Sequence, residues 1–528
     1  MKRLFGLLLV ISMLLLSFAG CGMLKGGEET ETQSESQTEP REVIDRYSGE
    51  GSAESPYLIQ SADDLIYLAT ITNAQSGAST CKNVYFRLEQ DLNLGGMEWL
   101  PIGGCFSGHF DGNGHTVSNF KMTNATKATQ VKVNSNMTTY ANIGLFGMIY
   151  EGSVCDLTVS GCTVEMTEKS SNYACLVGGL YNASVTGCRV ESSTVRVTNE
   201  QFGTRVGGMV GTAEQSHIEN CEANVSVALT RRYESNDSDA MYVGGLVGEF
   251  TTDTKKTPED YGTVENCKVK GAVVVTNSNS AVYSGGIAGY AYEVNGSSFE
   301  GSVTTTIQEN SVGYDYVGGI AGKLFHAEGC SVNGLLTADT FGYPQVGGIT
   351  AFLSDGTVKN CSFVGEINAA TKGYDCYAGG IVAELGSDGC VDSCLAAGKF
   401  LAQAGFAGSA CDGNAGGIVG TSGQDMTVKN CLSLGSVSAG GSRPSAASIT
   451  GRRTFGSTKV DETKHGFYNC YTGMVLSGTP SNIAIEGTVA TAEQLASAAF
   501  YTDTLGWSAD AWNIGTPNIA TGVYPTVK

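Results

Sequence analysis

Five histidines are the only imidazole groups in this 528-residue chain, and their neighbours limit the metal and acid–base chemistry available. None is followed directly by glutamate, so the His-Glu-x-x-His helix of zinc peptidases is absent. His109, Asp111, Asn113 and His115 form the densest polar cluster. It can be interpreted as a metal or acid–base site, or as a glycine-rich turn built on Asp-Gly-Asn-Gly. We favour the turn.

Other catalytic signatures are also missing from the sequence. We find no phosphate-binding loop, nucleophile elbow or dinucleotide fingerprint in the strand-to-helix context that each requires. Carbohydrate-active β-helix enzymes need paired carboxylates, or a calcium cluster with a basic residue. No Asp or Glu recurs in that way around the repeated motifs described below. We therefore predict a protein without catalytic residues, cofactor or metal site, with a polysaccharide lyase or hydrolase as the less favoured alternative.

Cysteine is the remaining reactive residue type, and eight of the 17 cysteines follow an Asn, Gly or Ser in a recurring context. A zinc site would favour Cys-x-x-Cys spacing, and the interval from Cys390 to Cys394 is one residue too long. Disulfides are an open alternative for an exported chain. We favour a core ladder of buried, mostly reduced thiols, because free cysteine behaves as a small hydrophobic residue. The recurring cysteines are Cys188, Cys221, Cys267, Cys330, Cys361, Cys394, Cys431 and Cys470.

The first residues read as a targeting segment. Lys2 and Arg3 precede an apolar run that ends in Phe18-Ala-Gly-Cys21, which resembles the lipobox of bacterial lipoproteins. The tetrad predicts a signal peptide over residues 1–20, lipid attachment at Cys21, and an extracytoplasmic protein anchored on the cell surface. The stretch over residues 21–48 is rich in Glu, Ser, Thr and Gln, so we predict a disordered tether there.

The formal net charge of −21 restricts the possible partners. A nucleic-acid-binding protein needs a basic footprint for the phosphate backbone, so nucleic acid is excluded as a partner. We expect the membrane to be contacted through the lipid anchor, and a host or microbial glycan or protein to be the other partner.

A Gly-Gly pair recurs through the middle of the chain, in contexts such as Tyr-Val-Gly-Gly-Leu and Tyr-Val-Gly-Gly-Ile. A second element follows the pairs, which reads Asn-Cys in four copies and is looser in others, and a short β-rich stretch comes after it. Short strands with variable loops, repeated at a period of this size, predict a parallel β-helix with one coil per repeat. The first glycines of the pairs lie at 178, 207, 244, 285, 318, 347, 379 and 416.

We predict an all-β, right-handed parallel β-helix of about ten coils with a short helical cap at each end. Ser61 to Asp64 and Thr491 to Gln494 resemble capping boxes, and we expect Trp507 and Trp512 to seal the C-terminal cap. The predicted parts are an N-terminal cap with the first coils over 49–140, the repeat β-helix over 141–440, and the last coil with its cap over 441–528.

The spacing of buried residues within the motifs predicts bends, because neighbouring side chains of a straight strand point to opposite faces. Val358 and Cys361 lie three residues apart and would face opposite sides of one straight strand. A left-handed residue before each cysteine, which Asn and Gly tolerate, would turn both side chains inward. We expect the Gly-Gly pair to act in the same way.

Four tyrosines occupy one position of the repeat, two residues before the first glycine of the pair: Tyr242, Tyr283, Tyr316 and Tyr377. If the residues that follow them face inward, coil stacking aligns these tyrosines in an outward row. We consider two interpretations of the row. It can bind a ligand, with ring faces stacking on sugars, or it can shield the strands, since tyrosine is a good β-former.

The repeat is similar to the GLUG repeat of bacterial surface proteins. The resemblance rests on Val-Gly-Gly-Leu-Val-Gly followed by Asn-Cys, and on the lead-in Phe106-Ser-Gly-His-Phe-Asp-Gly-Asn-Gly-His115. It implies an adhesin or a glycan- or protein-binding module; such repeats also accompany immunoglobulin-cleaving metallopeptidases, whose zinc motif is missing. A passive surface scaffold or spacer is the alternative.

Overall fold

In a computed structural model, the described chain winds as a parallel β-solenoid of about ten turns, which confirms the predicted fold class. Each turn contributes strands to three sheets of 23, 14 and 12 strands. Successive turns pair in register, as where Tyr283 aligns with Tyr242 on one side and Tyr316 on the other. The right-handed sense of winding stays a prediction.

The structure describes residues 44–528 except 75–78, 104, 127–129, 132–139, 169–170, 200–202, 232–239, 252–260, 278–280, 308–311, 406–410, 424, 454–465, 479–481 and 485. Arg41–Lys528 form one unit. The predicted signal peptide, Cys21 and most of the predicted tether lie outside the described residues.

The described strands of the three large sheets have the following bounds. The 23-stranded sheet contains Tyr57–Ile59, Ser79–Thr80, Tyr85–Leu88, Cys105–Phe106, His109–Asp111, Phe146–Tyr150, Ser153–Cys155, Val177–Tyr181, Ser184–Thr186, Val210–Glu214, His217–Glu219, Val247–Thr251, Thr263–Glu265, Ala288–Tyr290, Glu293–Asn295, Ala321–Glu328, Thr350–Lys359, Val382–Leu385, Cys390–Asp392, Val419–Ser422, Thr427–Lys429, Thr450–Arg453 and Gly466–Tyr468. The 14-stranded sheet contains Leu92–Glu98, Thr116–Thr123, Thr158–Ser160, Thr163–Glu168, Arg189–Asn199, Glu222–Arg231, Lys268–Asn277, Ser298–Ile307, Ser331–Thr340, Ser362–Thr371, Leu395–Ala404, Leu432–Gly440, Tyr471–Gly478 and Thr488–Val489. The 12-stranded sheet contains Gln130–Val131, Tyr140–Ile143, Ser171–Tyr173, Arg205–Gly207, Met241–Gly244, Val282–Gly285, Tyr314–Gly318, Tyr343–Gly347, Cys376–Gly379, Gly413–Gly416, Ser445–Ala447 and Asn482–Ala484.

Few described residues are helical. The helices are Ala62–Ala74, Ala492–Leu495, a π-helix at Phe500–Thr504 and a 3-10 helix at Ile519–Thr521. A small antiparallel pair joins Trp512–Asn513 to Thr526–Val527.

Alternation of apolar and polar residues builds the solenoid interior. In Glu222–Arg231, Val225, Val227 and Leu229 are buried, whereas Asn224 and Ser226 between them are exposed. Neighbouring side chains of a strand point to opposite faces, so one face of each strand enters the core. Stacking of the turns then makes this core continuous, since one turn alone cannot bury its inner face.

The bend before each repeat cysteine is left-handed, as predicted. Asn360 has a φ of 51°, and both Val358 and Cys361 are fully buried. The Gly-Gly pair works differently: its glycines are not among the described residues with positive φ. They are needed because a side chain has no room, since a Cβ on Gly244 would lie 2.0 Å from the carbonyl oxygen of Val247. The prediction of a left-handed Gly-Gly bend was wrong.

The first predicted Gly-Gly copy is shifted in register. Val177 pairs with Val210, and Tyr173 pairs with Val206, the residue before the next Gly-Gly pair. The counterpart of that pair is therefore Ala174-Cys175 and not Gly178-Gly179. The later copies align as predicted.

The repeat cysteines form a buried column, as predicted. All eight are at most 3% exposed, and all sixteen described cysteines are free thiols. Ser297 takes the cysteine position in one turn, where its hydroxyl accepts a hydrogen bond from the Cys267 amide at 3.0 Å. Burial raises the pKa of Cys188 and Cys394, which keeps these thiols protonated.

The N-terminal helix caps the core as predicted. Leu65 and Leu68 of Ala62–Ala74 are completely buried and join the solenoid core. The Ser61 hydroxyl accepts the amide of Asp64 at 3.2 Å, closing the expected capping interaction.

The C-terminal segment differs from the predicted end cap. The Thr491 capping box forms, but residues 490–528 run back along the outer face of the 14-stranded sheet. We call this segment the strap. The Trp507 indole donates to the Asn430 carbonyl at 2.8 Å, and the Trp512 indole donates to Asn360 at 3.3 Å, three turns before the last. The two tryptophans therefore bind the flank of the solenoid. At its far end the strap covers a cleft of about 570 Å³.

Candidate functional site

Two rows of outward side chains flank the corner where the 12-stranded sheet turns into the 23-stranded sheet, and we call the strip that they line the corner groove. Gly248 stands at this corner, and a Cβ there would lie 2.7 Å from the backbone nitrogen of Val206 in the preceding turn. Gly289 and Gly322 repeat this close approach. Because glycine lets the backbones come so near, the outward side chains on either side of the corner face each other.

Two rows of aligned side chains form the walls, which we call the tyrosine row and the opposite row. The tyrosine row consists of Asn142, Asn172, Arg205, Tyr242, Tyr283, Tyr316, Gln345, Tyr377, Asn414 and Ser445. The opposite row consists of Met148, Gly179, Thr212, Glu249, Tyr290, Lys323, Phe352, Glu384, Thr421 and Arg452.

The rows contact each other across the corner with an offset of one turn. Glu249 forms an ion pair with Arg205 of the preceding turn. The ring centroids of Tyr290 and Tyr242 lie 6.2 Å apart, and those of Phe352 and Tyr316 lie 6.1 Å apart. Each opposite-row residue is thus matched with the tyrosine-row residue one turn earlier.

The four predicted tyrosines do align in one outward row, but the rings of Tyr242, Tyr283 and Tyr316 stack on each other. The Tyr242 and Tyr283 centroids are 5.3 Å apart with planes at 12°, and those of Tyr283 and Tyr316 are 4.5 Å apart at 2°. Arg205 covers the free face of Tyr242, with its guanidinium carbon 5.9 Å from the centroid. The stacked faces of these three rings are occupied, so the predicted stacking of sugars is not available there, whereas for Tyr377 it stays a prediction. Ring edges and hydroxyls remain for a ligand.

The tyrosine hydroxyls act as hydrogen-bonding groups and not as acids. The four predicted tyrosines are half-buried, and burial raises the pKa of Tyr377 to about 12. The pKa values of Tyr242 and Tyr316 are raised further by burial, with carboxylates of the opposite row adding to the shift. A neutral phenol can both donate and accept a hydrogen bond.

A second aromatic stack adjoins the tyrosine row on the 12-stranded sheet. Tyr314 is 48% exposed, and its ring stacks on Tyr343 with centroids 4.9 Å apart. Tyr343 in turn meets Tyr374 at 4.5 Å. Tyr314 also lies 6.2 Å from Tyr316, so the two stacks form one aromatic surface.

The groove becomes polar in the turns that hold Gln345, Tyr377 and Asn414. Gln345 interacts with Glu384 of the opposite row. Burial raises the pKa of Glu384, and the Gln345 amide offsets part of the rise. The Gln345 side-chain oxygen is buried and has no hydrogen-bond partner among the described residues, and the same holds for that of Asn414.

The histidine cluster of the sequence does not converge on one point. His109 bonds to Ser153 at 2.8 Å and stacks on Tyr85, whereas His115 lies 3.3 Å from Asp91. Asn113 occupies a left-handed turn. These separate contacts agree with the turn interpretation.

The residues described by the structure contain one group with metal-like spacing, formed by Asp111, Cys155 and Asp156. Asp111 is already paired with Arg87 at 3.3 Å. Burial raises the pKa of Cys155 to about 11, which keeps this thiol protonated.

Sequence reasoning found one wall of the groove and missed the other. The opposite row stands seven residues after the tyrosine row, as in Tyr242 and Glu249 or Tyr377 and Glu384. This offset, which is seven residues in every turn after the first, was readable from the repeat.

A parallel β-solenoid with one corner lined by two rows of half-buried and buried side chains defines the structural class of the protein. Residues 239–274 match the family described as the GLUG motif, which fits a GLUG-repeat β-helix protein and confirms the predicted resemblance.

Two curated proteins resemble parts of the chain. Halomucin of Haloquadratum walsbyi is 29% identical over 188 residues, which cover 33% of this chain. A candidate Gly-rich membrane protein of Evansella cellulosilytica is 32% identical over 143 residues, which cover 25% of this chain. The chain spans only 2% and 14% of the lengths of these two relatives.

Two solved structures also align. A candidate immunoglobulin A1 protease from Bacteroides ovatus has 17% identity and a TM-score of 0.26, covering 91% of this chain and 94% of that one. A structure named IgA1 protease has 14% identity and a TM-score of 0.24, covering 78% of this chain and 21% of that one. Within the described residues, no helix is long and apolar enough to span a membrane.

Proposed function

We propose that the chain is a lipid-anchored cell-surface protein that binds a partner along the corner groove without catalysing a reaction. The observation that carries the proposal is the run of outward tyrosine hydroxyls beside buried, unpartnered amide oxygens. Buried polar groups normally have hydrogen-bond partners, so these oxygens are sites for donors from outside the chain. The relative described as a membrane protein supports the surface location.

The shape of the groove suits an extended partner. Adjacent turns stack about 4.8 Å apart, so the groove offers hydrogen-bonding groups at regular intervals along the solenoid. The exposed Tyr314 edge widens the surface beside Tyr316. An adhesin needs such an area, because protein recognition uses aromatic residues that carry a polar group.

A passive scaffold is the second candidate, and the ring stacking favours it. Each stacked aromatic pair contributes about 0.5–1.5 kcal/mol beyond its burial, so the tyrosine row stabilises the solenoid whether or not it binds anything. The binding protein and the scaffold differ in the role of the tyrosine hydroxyls. Binding uses the hydroxyls as hydrogen-bonding groups, whereas the stacking that stabilises a scaffold needs only the rings.

The test therefore removes hydroxyls and keeps rings. Tyr283→Phe combined with Tyr316→Phe retains the stack. The purified full chain is assayed on a glycan array and on a panel of immobilised matrix proteins, with the CD melt as a fold check. We expect saturable binding by the native chain that is about thirtyfold weaker in the double variant, because the two lost hydrogen bonds contribute about 1 kcal/mol each and 1.4 kcal/mol corresponds to a factor of ten.

The matched control is Tyr150→Phe with Tyr181→Phe, a stacked pair outside both rows with centroids 5.2 Å apart. It should bind like the native chain. Equal binding by the two double variants, or no binding to any surface, would leave the scaffold as the better account.

A further inference from the structure

The repeats place two glutamates at the same position of the opposite row, in different surroundings. Glu249 and Glu384 both face the tyrosine-row residue of the preceding turn. For Glu249 that residue is Arg205, which forms an ion pair with it. For Glu384 it is Gln345, a neutral amide. The solenoid thus provides one carboxylate with a cation and an equivalent carboxylate without one.

From this comparison we infer that Glu384 and Gln345 form a subsite for a guanidinium group, supplied by an arginine side chain of a polypeptide partner. This inference rests on the proposed binding role of the groove. The partner's guanidinium would take the place at Glu384 that Arg205 takes at Glu249.

The amide of Gln345 supplies the second observation. Gln345 is 3% exposed, and its side-chain amide interacts with the Glu384 carboxylate. Its side-chain oxygen has no partner among the residues described. A guanidinium carries five N–H donors on a planar fork, so it can serve the carboxylate and the amide oxygen together.

The flanking rings complete the comparison. Arg205 lies over the ring of Tyr242 while it binds Glu249. Gln345 lies between Tyr316 and Tyr377 in the row, so a cation at Glu384 would likewise meet tyrosine rings. The described residues offer no ion pair to Glu384 within 4.0 Å that would compete for the site.

The amino group of a polymeric amino sugar has related chemistry, and the test separates it from a peptide. Oligo-arginine is titrated into the full chain at physiological ionic strength, beside a length-matched oligo-citrulline, in which a neutral urea replaces each guanidinium. A chitosan oligomer is the amino-sugar probe. We expect saturable binding of oligo-arginine only.

Two variants locate the site. Glu384→Gln should weaken oligo-arginine binding about tenfold or more, because hydrogen bonds to charged groups are the strong ones. Gln345→Arg should also abolish binding and raise the melting temperature, since it supplies the missing cation from within the chain. Glu366→Gln, which is paired with Lys399 at 2.8 Å on another sheet, changes the net charge equally and should bind like the native chain.

Equal binding by Glu384→Gln and Glu366→Gln would overturn the inference, because the attraction would then be a diffuse effect of the acidic surface. Binding of the chitosan oligomer without oligo-arginine would overturn the peptide assignment. If the phenylalanine variants lose partner binding while Glu384→Gln keeps its affinity for both the partner and oligo-arginine, the proposed binding role of the groove is supported. The guanidinium subsite at Glu384 and Gln345 is then contradicted.

Discussion

Replacement of Trp512 by alanine should detach the strap and leave the solenoid folded. Trp512 is 1% exposed, its ring stacks on Trp507 with centroids 4.2 Å apart, and its indole bonds to Asn360. Truncation of a buried tryptophan costs about 3–5 kcal/mol, which includes the cavity that it leaves. The loss falls on the strap because Trp512 belongs to a hydrophobic cluster separate from the solenoid core.

Hydrogen exchange measures this loss segment by segment. If about 4 kcal/mol is lost from strap opening, strap amides such as that of Trp507 should exchange nearly a thousandfold faster in the variant. Amides of Thr350–Lys359 should keep their native rates. Trp99→Ala is the matched control: Trp99 is equally buried, but its indole bonds to Leu145 in the first turns. Unchanged strap exchange, or acceleration spread equally through the solenoid, would refute the reasoning.

Three further outcomes are expected. Cys21→Ala should release the chain from membranes, and unchanged association without a lipid label would contradict lipidation. The repeat cysteines should resist alkylation until denaturant is added, because their side chains are buried and the reagent cannot reach the sulfur atoms; rapid labelling of Cys361 in the native chain, detected by mass spectrometry, would contradict this. Burial holds the pKa of Glu384 above its usual value, with Tyr316 and Tyr377 facing it. The folded state therefore binds this proton more tightly than the unfolded state, and stability falls as pH rises through that range. Glu384→Gln should melt higher than the native chain near about pH 7 and equally near about pH 4, and equal melts at both would refute it.

Local rules made most of the solenoid predictable from sequence. The left-handed residue before each cysteine followed from parity alone, and Asn220, Asn266 and Asn430 all adopt it. The reason for the Gly-Gly pair did not follow, because it depends on contacts with the next turn: a Cβ on Gly245 would lie 2.2 Å from the carbonyl oxygen of Gly286. A sequence pattern indicates which backbone conformation a residue prefers. It does not indicate as readily how much space is left for a side chain between two stacked turns.

The strap was missed because its partner surface lies far away in sequence, although a signal was present. Outward positions at the start of the long strands are polar in the earlier turns, as in Lys268 and Ser298. They become apolar at Leu395 and Leu432, which pack under the strap. An outward apolar pair on an otherwise polar face indicates that another segment covers it.

The tyrosine row of the candidate site could be predicted from the sequence, but the contacts between turns and between the two rows could not. The alignment of the tyrosines followed from repeat register, but the direction of their rings did not, because ring planes depend on packing between turns. The contrast between Glu249 and Glu384 became visible only when pairing showed which residue each one faces.

Hydroxyl-radical footprinting of the chain bound to a partner found in the surface screen tests the central claim most directly. Half-buried tyrosines react where solvent reaches them, so a partner seated in the corner groove must shield them. We predict that binding protects Tyr283, Tyr316 and Tyr377 from oxidation and leaves Tyr150 and Tyr181 unchanged. Equal protection of both sets, or protection of Tyr150 and Tyr181 alone, would show that the partner binds elsewhere and would contradict the account.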